Sequence, residues 1–138
     1  MTMNFQAGNP HFDLGPILPI LEADSRILAA YLLGSEARGQ SRPDSDIDIA
    51  LLIFPRAALD ALECGAISGE IALATGRDVD IGRLDSSNLV YAREAILTGH
   101  RIFVRERTAA DLAVTTLLGM YAWFETERRE VVDAYRSR

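Results

Sequence analysis

The sequence predicts an α/β (α+β) fold with one small mixed sheet of about four strands flanked by helices. Short apolar runs bounded by Gly, Pro or polar clusters alternate with longer stretches whose apolar residues recur at helical spacing. No internal repeat, linker or low-complexity tract interrupts the 138 residues, a length suited to one core, so residues 1–138 read as a single domain.

Residues 1–12 contain Asn, Gly and Pro and are expected to be a loose leading segment. Leu14, Ile17, Leu18 and Leu21 recur at helical spacing with Pro16 and Pro19 near the start, predicting a short helix over 14–23. "RILAAYLLG" reads as a buried strand ended by Gly34. Ser35 suits the cap of one helical turn over 35–39, and "QSRPDS" is a loop by composition. "DIDIALLIF" is the second strand, closed by Pro55, and residues 56–75 follow as a helix ending near Gly76. "DVDIGRL" is a third short strand with strict alternation at its start. "SSNLVYAREAILTG" opens on two capping residues and ends at Gly99, which marks another helix. "HRIFVRE" is the fourth strand. A long helix closes the chain from Thr108 to about Tyr135, with apolar positions at 109, 112, 113, 117, 120, 121 and 124.

Composition narrows the chemistry. A net charge of −6 disfavours binding to a phosphate backbone, so no direct nucleic-acid binding is expected. All 14 basic residues are arginine, which excludes mechanisms built on a P-loop or Schiff-base lysine. Arginine is then the only permanent cation available for phosphate or carboxylate. Cys64 stands alone, without a disulfide partner or zinc companions, and reads as a small apolar residue on a helix. His11 and His100 sit in no metal-ligand spacing and read as surface residues. The longest apolar run, Ile27–Leu33, is too short to cross a bilayer, and the first residues show no signal-peptide pattern. A cytoplasmic protein without membrane attachment is expected.

Within "LLGSEARGQSRPDSDIDIALL" (32–52), two carboxylates stand in an apolar run. Side chains alternate along a strand, so Asp46 and Asp48 share a face, about 7 Å apart at the backbone, with Ile47, Ile49 and Leu51 opposite. Asp78 and Asp80 repeat the arrangement on the third strand, with Val79 and Ile81 opposite. Two such strands side by side form a repulsive cluster unless a cation sits in it. With no lysine available, a divalent metal is the economical answer, and magnesium takes carboxylate oxygens together with waters and substrate phosphates. Gly34-Ser35 complements this: backbone N–H groups opening a helical turn attract phosphate oxygens, and Gly34 lets a polyphosphate approach the backbone. Cradle and carboxylates together point to nucleotidyl or phosphoryl transfer, with a remaining carboxylate helping to deprotonate the attacking hydroxyl. D-x-D and Gly-Ser each also occur as a plain solvent-facing strand and a plain turn. Their combination with a third carboxylate after an intervening helix favours the metal reading. Asp78, at a strand entry, has the weaker claim, and Arg38 and Arg42 read either as phosphate contacts or as solvated side chains.

Gly34-Ser35, ten residues, then Asp46-Ile47-Asp48 resembles the GS-x10-D-x-D pattern of the nucleotidyltransferases similar to DNA polymerase β. The absence of further domains makes the chain similar to the minimal nucleotidyltransferase (MNT) group. The resemblance runs from about Ile20 to the C-terminus and takes in "DVDIGRL", "REAILTGHRIFVRE" and the closing helix. It implies the nucleotidyltransferase fold, with Gly34 and Ser35 holding nucleotide phosphates, Asp46 and Asp48 holding magnesium, and Asp80 completing the triad as metal ligand or proton acceptor. It further implies ATP as donor and AMP as the group transferred, with release of pyrophosphate. Chains of this size resemble the antitoxin half of HEPN–MNT toxin–antitoxin pairs, which implies a HEPN ribonuclease as hetero-complex partner and its tyrosine as acceptor. Trp123 and Phe124, beside Glu125 and Glu127, fit either a partner's surface or a core and its solvated face. One departure stands out: where the family's segment after the third acid often runs on as an apolar, partly acidic strand, this chain has Gly82-Arg83, a pair able to shorten the strand. Two other functions stay open. One is a non-catalytic antitoxin acting by stoichiometric binding. The other is an adenylyltransferase for a small molecule such as an aminoglycoside, for which 138 residues leave little room for an enclosing lobe.

Overall fold

The computed structural model describes residues 13–34 and 46–137. The expectations for residues 1–12, Ser35, the helical turn over 35–39, Arg38, Arg42 and His11 therefore lie outside the described residues.

The first helix, α1 (Leu18–Ala23), is shorter than the apolar spacing predicts. Pro19 falls in the first turn of α1, where a missing N–H costs no bond, while Pro16 brings no backbone N–H and the chain ahead of the helix makes only a turn. There the Leu14 carbonyl accepts from the amides of Ile17 and Leu18 at 2.9 and 3.1 Å. The carbonyls at the other end of α1 are met by a distant side chain. The Arg105 guanidinium donates to the oxygens of Leu21, Glu22, Asp24 and Ile27 at 3.2, 2.9, 3.0 and 2.8 Å.

Four strands follow as predicted: β1 (Ile27–Leu33), β2 (Ile47–Ile53), β3 (Val79–Arg83) and β4 (His100–Val104). They lie in the order β3-β2-β1-β4. β1 runs antiparallel to β2 and β4, whereas β2 and β3 are parallel, so the sheet is mixed. A parallel pair needs a crossover, which α2 (Ala61–Thr75) supplies.

The expected helix over 56–75 begins only at Ala61. Beyond Pro55 the chain first turns, with the Ala57 amide on the Phe54 carbonyl at 2.9 Å. Asp60 then starts the helix through a capping box: its carboxylate accepts from the Glu63 amide at 2.8 Å, and the Glu63 carboxylate accepts from the Asp60 amide at 3.2 Å. The next helix, α3 (Leu89–Thr98), also starts later than its serines suggest. Asp85 holds a short 3₁₀ turn, Ser86–Asn88, and Asn88 is the residue that caps α3, accepting from the Tyr91 amide at 3.1 Å.

One face of the sheet (Leu32, Ile47, Ile49, Leu51) packs on α1 and α2 through Leu21, Cys64, Ile67 and Ile71. Cys64 is thus a buried apolar filler, as read from the sequence. The other face (Tyr31, Ala50, Leu52, Leu84) packs on α3 through Ala92 and Ala95 and on α4 (Arg107–Arg136) through Ala110 and Leu117. His100, expected at the surface, is half-buried where β4 pairs with Leu32.

The closing helix runs over the span that the sequence predicts. Its 30 residues span about 45 Å, far beyond the width of the sheet it crosses. Its first half packs on α3 and β1, anchored by Arg101 Nη2 donating to Asp111 Oδ1 at 2.9 Å. Leu112, Met120 and Phe124, three of the apolar positions read from the sequence, are exposed, and Trp123 is 67% exposed. No described helix is long and apolar enough to cross a membrane.

Candidate active site

The parallel pairing of β2 and β3 puts Asp48 directly across from Asp80, flanked by the pairs Ile47–Val79 and Ile49–Ile81. Because the isoleucines and Val79 bury on the α1/α2 face, both carboxylates are forced onto the face beneath α3. The Ile47 amide donates to the Asp78 carbonyl at 2.8 Å and locks this register at its start. Asp78 contributes that carbonyl; its side chain is exposed and is no part of the cavity beside the pair.

That cavity holds about 330 Å³ and is lined by Leu33, Asp48, Asp80, Ile81, Gly82 and Tyr91. Asp46 stands exposed at the mouth of β2, outside the lining. The structure therefore presents the expected triad as a facing pair, Asp48 and Asp80, with Asp46 one strand step away. Among the described residues no three His, Cys, Asp or Glu side chains are gathered closely enough to hold a metal unaided. Burial first, then repulsion from Asp80 and from Asp46, pushes the Asp48 carboxyl above the usual aspartate range. Among the described residues no cation pairs with any of the three.

Gly34 closes β1 at φ +68°, beside the Leu33–Asp48 pair. A Cβ at position 34 would lie 2.9 Å from Asp48 Oδ2. The glycine is thus required by the left-handed backbone and by the neighbouring carboxylate before any ligand arrives.

Sequence reasoning missed Tyr91. The available signal was Gly82, a glycine inside a strand two residues after Asp80, which marks a close approach by something else. What approaches is the Tyr91 phenol from α3. β3 is not shortened by the Gly82-Arg83 pair: it continues in register with Ala50 and Leu51. Arg83 Nη1 ties it to the Leu59 carbonyl at 2.8 Å.

A carboxylate pair borne on adjacent strands of a small mixed sheet, with a glycine turn against it, is the frame of a nucleotidyltransferase. Residues 16–108 match the family model described as polymerase beta, nucleotidyltransferase, and the chain belongs to that family. It is 30% identical over 103 residues to the protein adenylyltransferase MntA of Shewanella oneidensis, covering 75% of this chain and 72% of that one. Its fold matches one chain of a toxin–antitoxin structure crystallised with AMP-PNP, at TM-score 0.75 and 25% identity over 91% of this chain and 99% of that chain. It also matches one chain of the structure of a tri-AMPylated S. oneidensis HEPN toxin in complex with MNT antitoxin, at TM-score 0.64 and 24% identity over 86% of this chain and 91% of that chain.

Proposed function

We propose that this chain is the cytoplasmic antitoxin of a HEPN–MNT pair, a magnesium-dependent enzyme that moves AMP from ATP to a tyrosine hydroxyl of its HEPN ribonuclease partner and thereby inactivates it. The observation that carries the reading is the direct Asp48–Asp80 pairing at a cavity where no described cation offsets the two charges. The names of its relatives, an adenylyltransferase and complexes with AMP-PNP or an AMPylated HEPN toxin, support the same chemistry.

The donor set fits magnesium: hard carboxylate oxygens, fewer than a full cage, leaving positions for waters and phosphates. Asp46, Asp48 and Asp80 would hold it, and its charge would neutralise the polyphosphate and the departing pyrophosphate. The acceptor's phenol oxygen attacks the α-phosphorus of ATP while the bond to the β-bridging oxygen breaks and pyrophosphate leaves. The phenol proton passes to Asp80 on the β3 wall of the cavity. Gly34, at the end of β1, and the Ser35 that follows it in sequence take the outer phosphates.

The test is the intact mass of the HEPN partner after incubation with this chain, ATP and magnesium, with Asp46→Asn run in parallel. Steps of one AMP that vanish in the variant are expected. An unshifted mass while the two proteins still form a tight complex would replace transfer by stoichiometric neutralisation.

Docking and transfer use different surfaces in this reading. The outer half of α4 leaves Trp123, Phe124, Val131 and Tyr135 exposed, which suits a partner's apolar face. Trp123→Ala should shift the melting temperature of the isolated chain by no more than about 1 °C. The same change should weaken the complex at least about tenfold by titration calorimetry. Unchanged affinity would move the partner's seat off α4.

A further inference from the structure

We propose that Tyr91 binds the sugar of the nucleotide, and that position 82 is glycine so that the phenol can reach it. The inference deepens the nucleotidyltransferase reading and rests on it.

Gly82 follows Asp80 by two residues and shares its face of β3, opposite Ala50 on β2. Both positions are small, leaving a shallow bay in the sheet next to the carboxylates. Tyr91 fills the bay from above. A Cβ on Gly82 would collide with its hydroxyl oxygen and would lie 2.7 Å from Cζ and 3.0 Å from Cε2. The tip of the ring thus occupies the space a side chain would take. A residue placed only for packing would not need this concession, because a shorter apolar side chain at 91 would sit over an alanine at 82.

The hydroxyl opens onto the same cavity as Asp48 and Asp80. Among the described residues no group donates to it or accepts from it. A half-buried tyrosine ordinarily finds a partner for its hydroxyl, so the cavity's ligand is the natural one. Strand order says which part of the ligand. Gly34 lies on the β1 side of Asp48, and Gly82 with Tyr91 lies on the β3 side. With the outer phosphates toward Gly34 and the α-phosphate at the carboxylates, the nucleoside end reaches Tyr91. A sugar hydroxyl both donates and accepts, as the phenol does.

The experiment is titration calorimetry of ATP, 2′-deoxy-ATP and 3′-deoxy-ATP, each with magnesium, into the full chain and into Tyr91→Phe. The unmutated chain is expected to prefer ATP over at least one deoxy analogue. Tyr91→Phe should weaken ATP about tenfold and erase that preference. Gly82→Ala, which displaces the phenol without altering it, should weaken ATP similarly. A Tyr91→Phe chain that keeps both the affinity and the preference overturns the assignment. So does one that binds every nucleotide normally while only the acceptor's KM rises. A chain that binds ATP with this selectivity yet adds no AMP to its partner would sink the transfer reaction and leave the sugar contact standing.

Discussion

Asp48→Asn lowers AMP transfer by at least about 10³-fold and at the same time raises the melting temperature of the metal-free protein by about 2 °C. The two effects have one origin. Asp48 is half-buried, faces Asp80 across the β2–β3 pairing and has Asp46 at the mouth of its own strand. Burial and these two like charges raise its carboxyl above the usual range, so the fold works against its ionisation. The folded state therefore holds the Asp48 proton to higher pH than the unfolded chain does. From the ordinary aspartate range near pH ~4 upward, the metal-free protein loses stability until the raised folded value is passed. Asparagine removes that loss. The melting temperatures of the two proteins, measured in chelator across pH, should coincide at the acid end and diverge as pH rises toward neutrality, with the variant above. Magnesium and ATP together should reverse the order, because only the unmutated chain gains from binding them. Curves that stay parallel from acid to neutral pH would mean that Asp48 is solvated and carries no electrostatic load.

Much of this arrangement was legible in the sequence, for reasons that differ by residue. Strict alternation placed Asp46, Asp48 and Asp80 on one face and Ile47, Ile49 and Ile81 on the other, and the structure keeps both sets apart. Which carboxylates meet was not legible, because alternation assigns a face within a strand while only register assigns partners between strands. The parallel register chose Asp48 with Asp80 and left Asp46 at the mouth. Helix starts slipped for a related reason. Asp60 and Asn88 outcompeted nearby candidates because their side chains reach an amide three residues on, which depends on the backbone angles of the preceding turn. The apolar stripe of α4 continues past Leu117, but the sheet beneath it ends, and periodicity alone carries no information about the length of what lies opposite. Arg105 capping α1 from 81 residues away could not be read locally at all.

Gly34→Ala is expected to cost about 1–2 kcal/mol of stability and roughly 100-fold in transfer, through two separable causes. The first is local: φ at residue 34 is +68°, where any side chain with a Cβ meets its own carbonyl. The second is electrostatic and steric, since the new methyl would stand 2.9 Å from Asp48 Oδ2 and must push that carboxylate out of its place opposite Asp80. A double-mutant cycle with Asp48→Ala divides them. Truncating Asp48 empties the space that the methyl needs but leaves the backbone angle as it was. The stability cost of Gly34→Ala should therefore fall in the Asp48→Ala background to the backbone part alone, about 1 kcal/mol. Strict additivity would show instead that the carboxylate yields freely and that the turn, not Asp48, requires the glycine. The transfer defect distinguishes the same alternatives from the other side. If displacement of Asp48 is its cause, kcat falls and the affinity for ATP without magnesium is little changed, whereas a damaged phosphate cradle would weaken ATP with or without the metal.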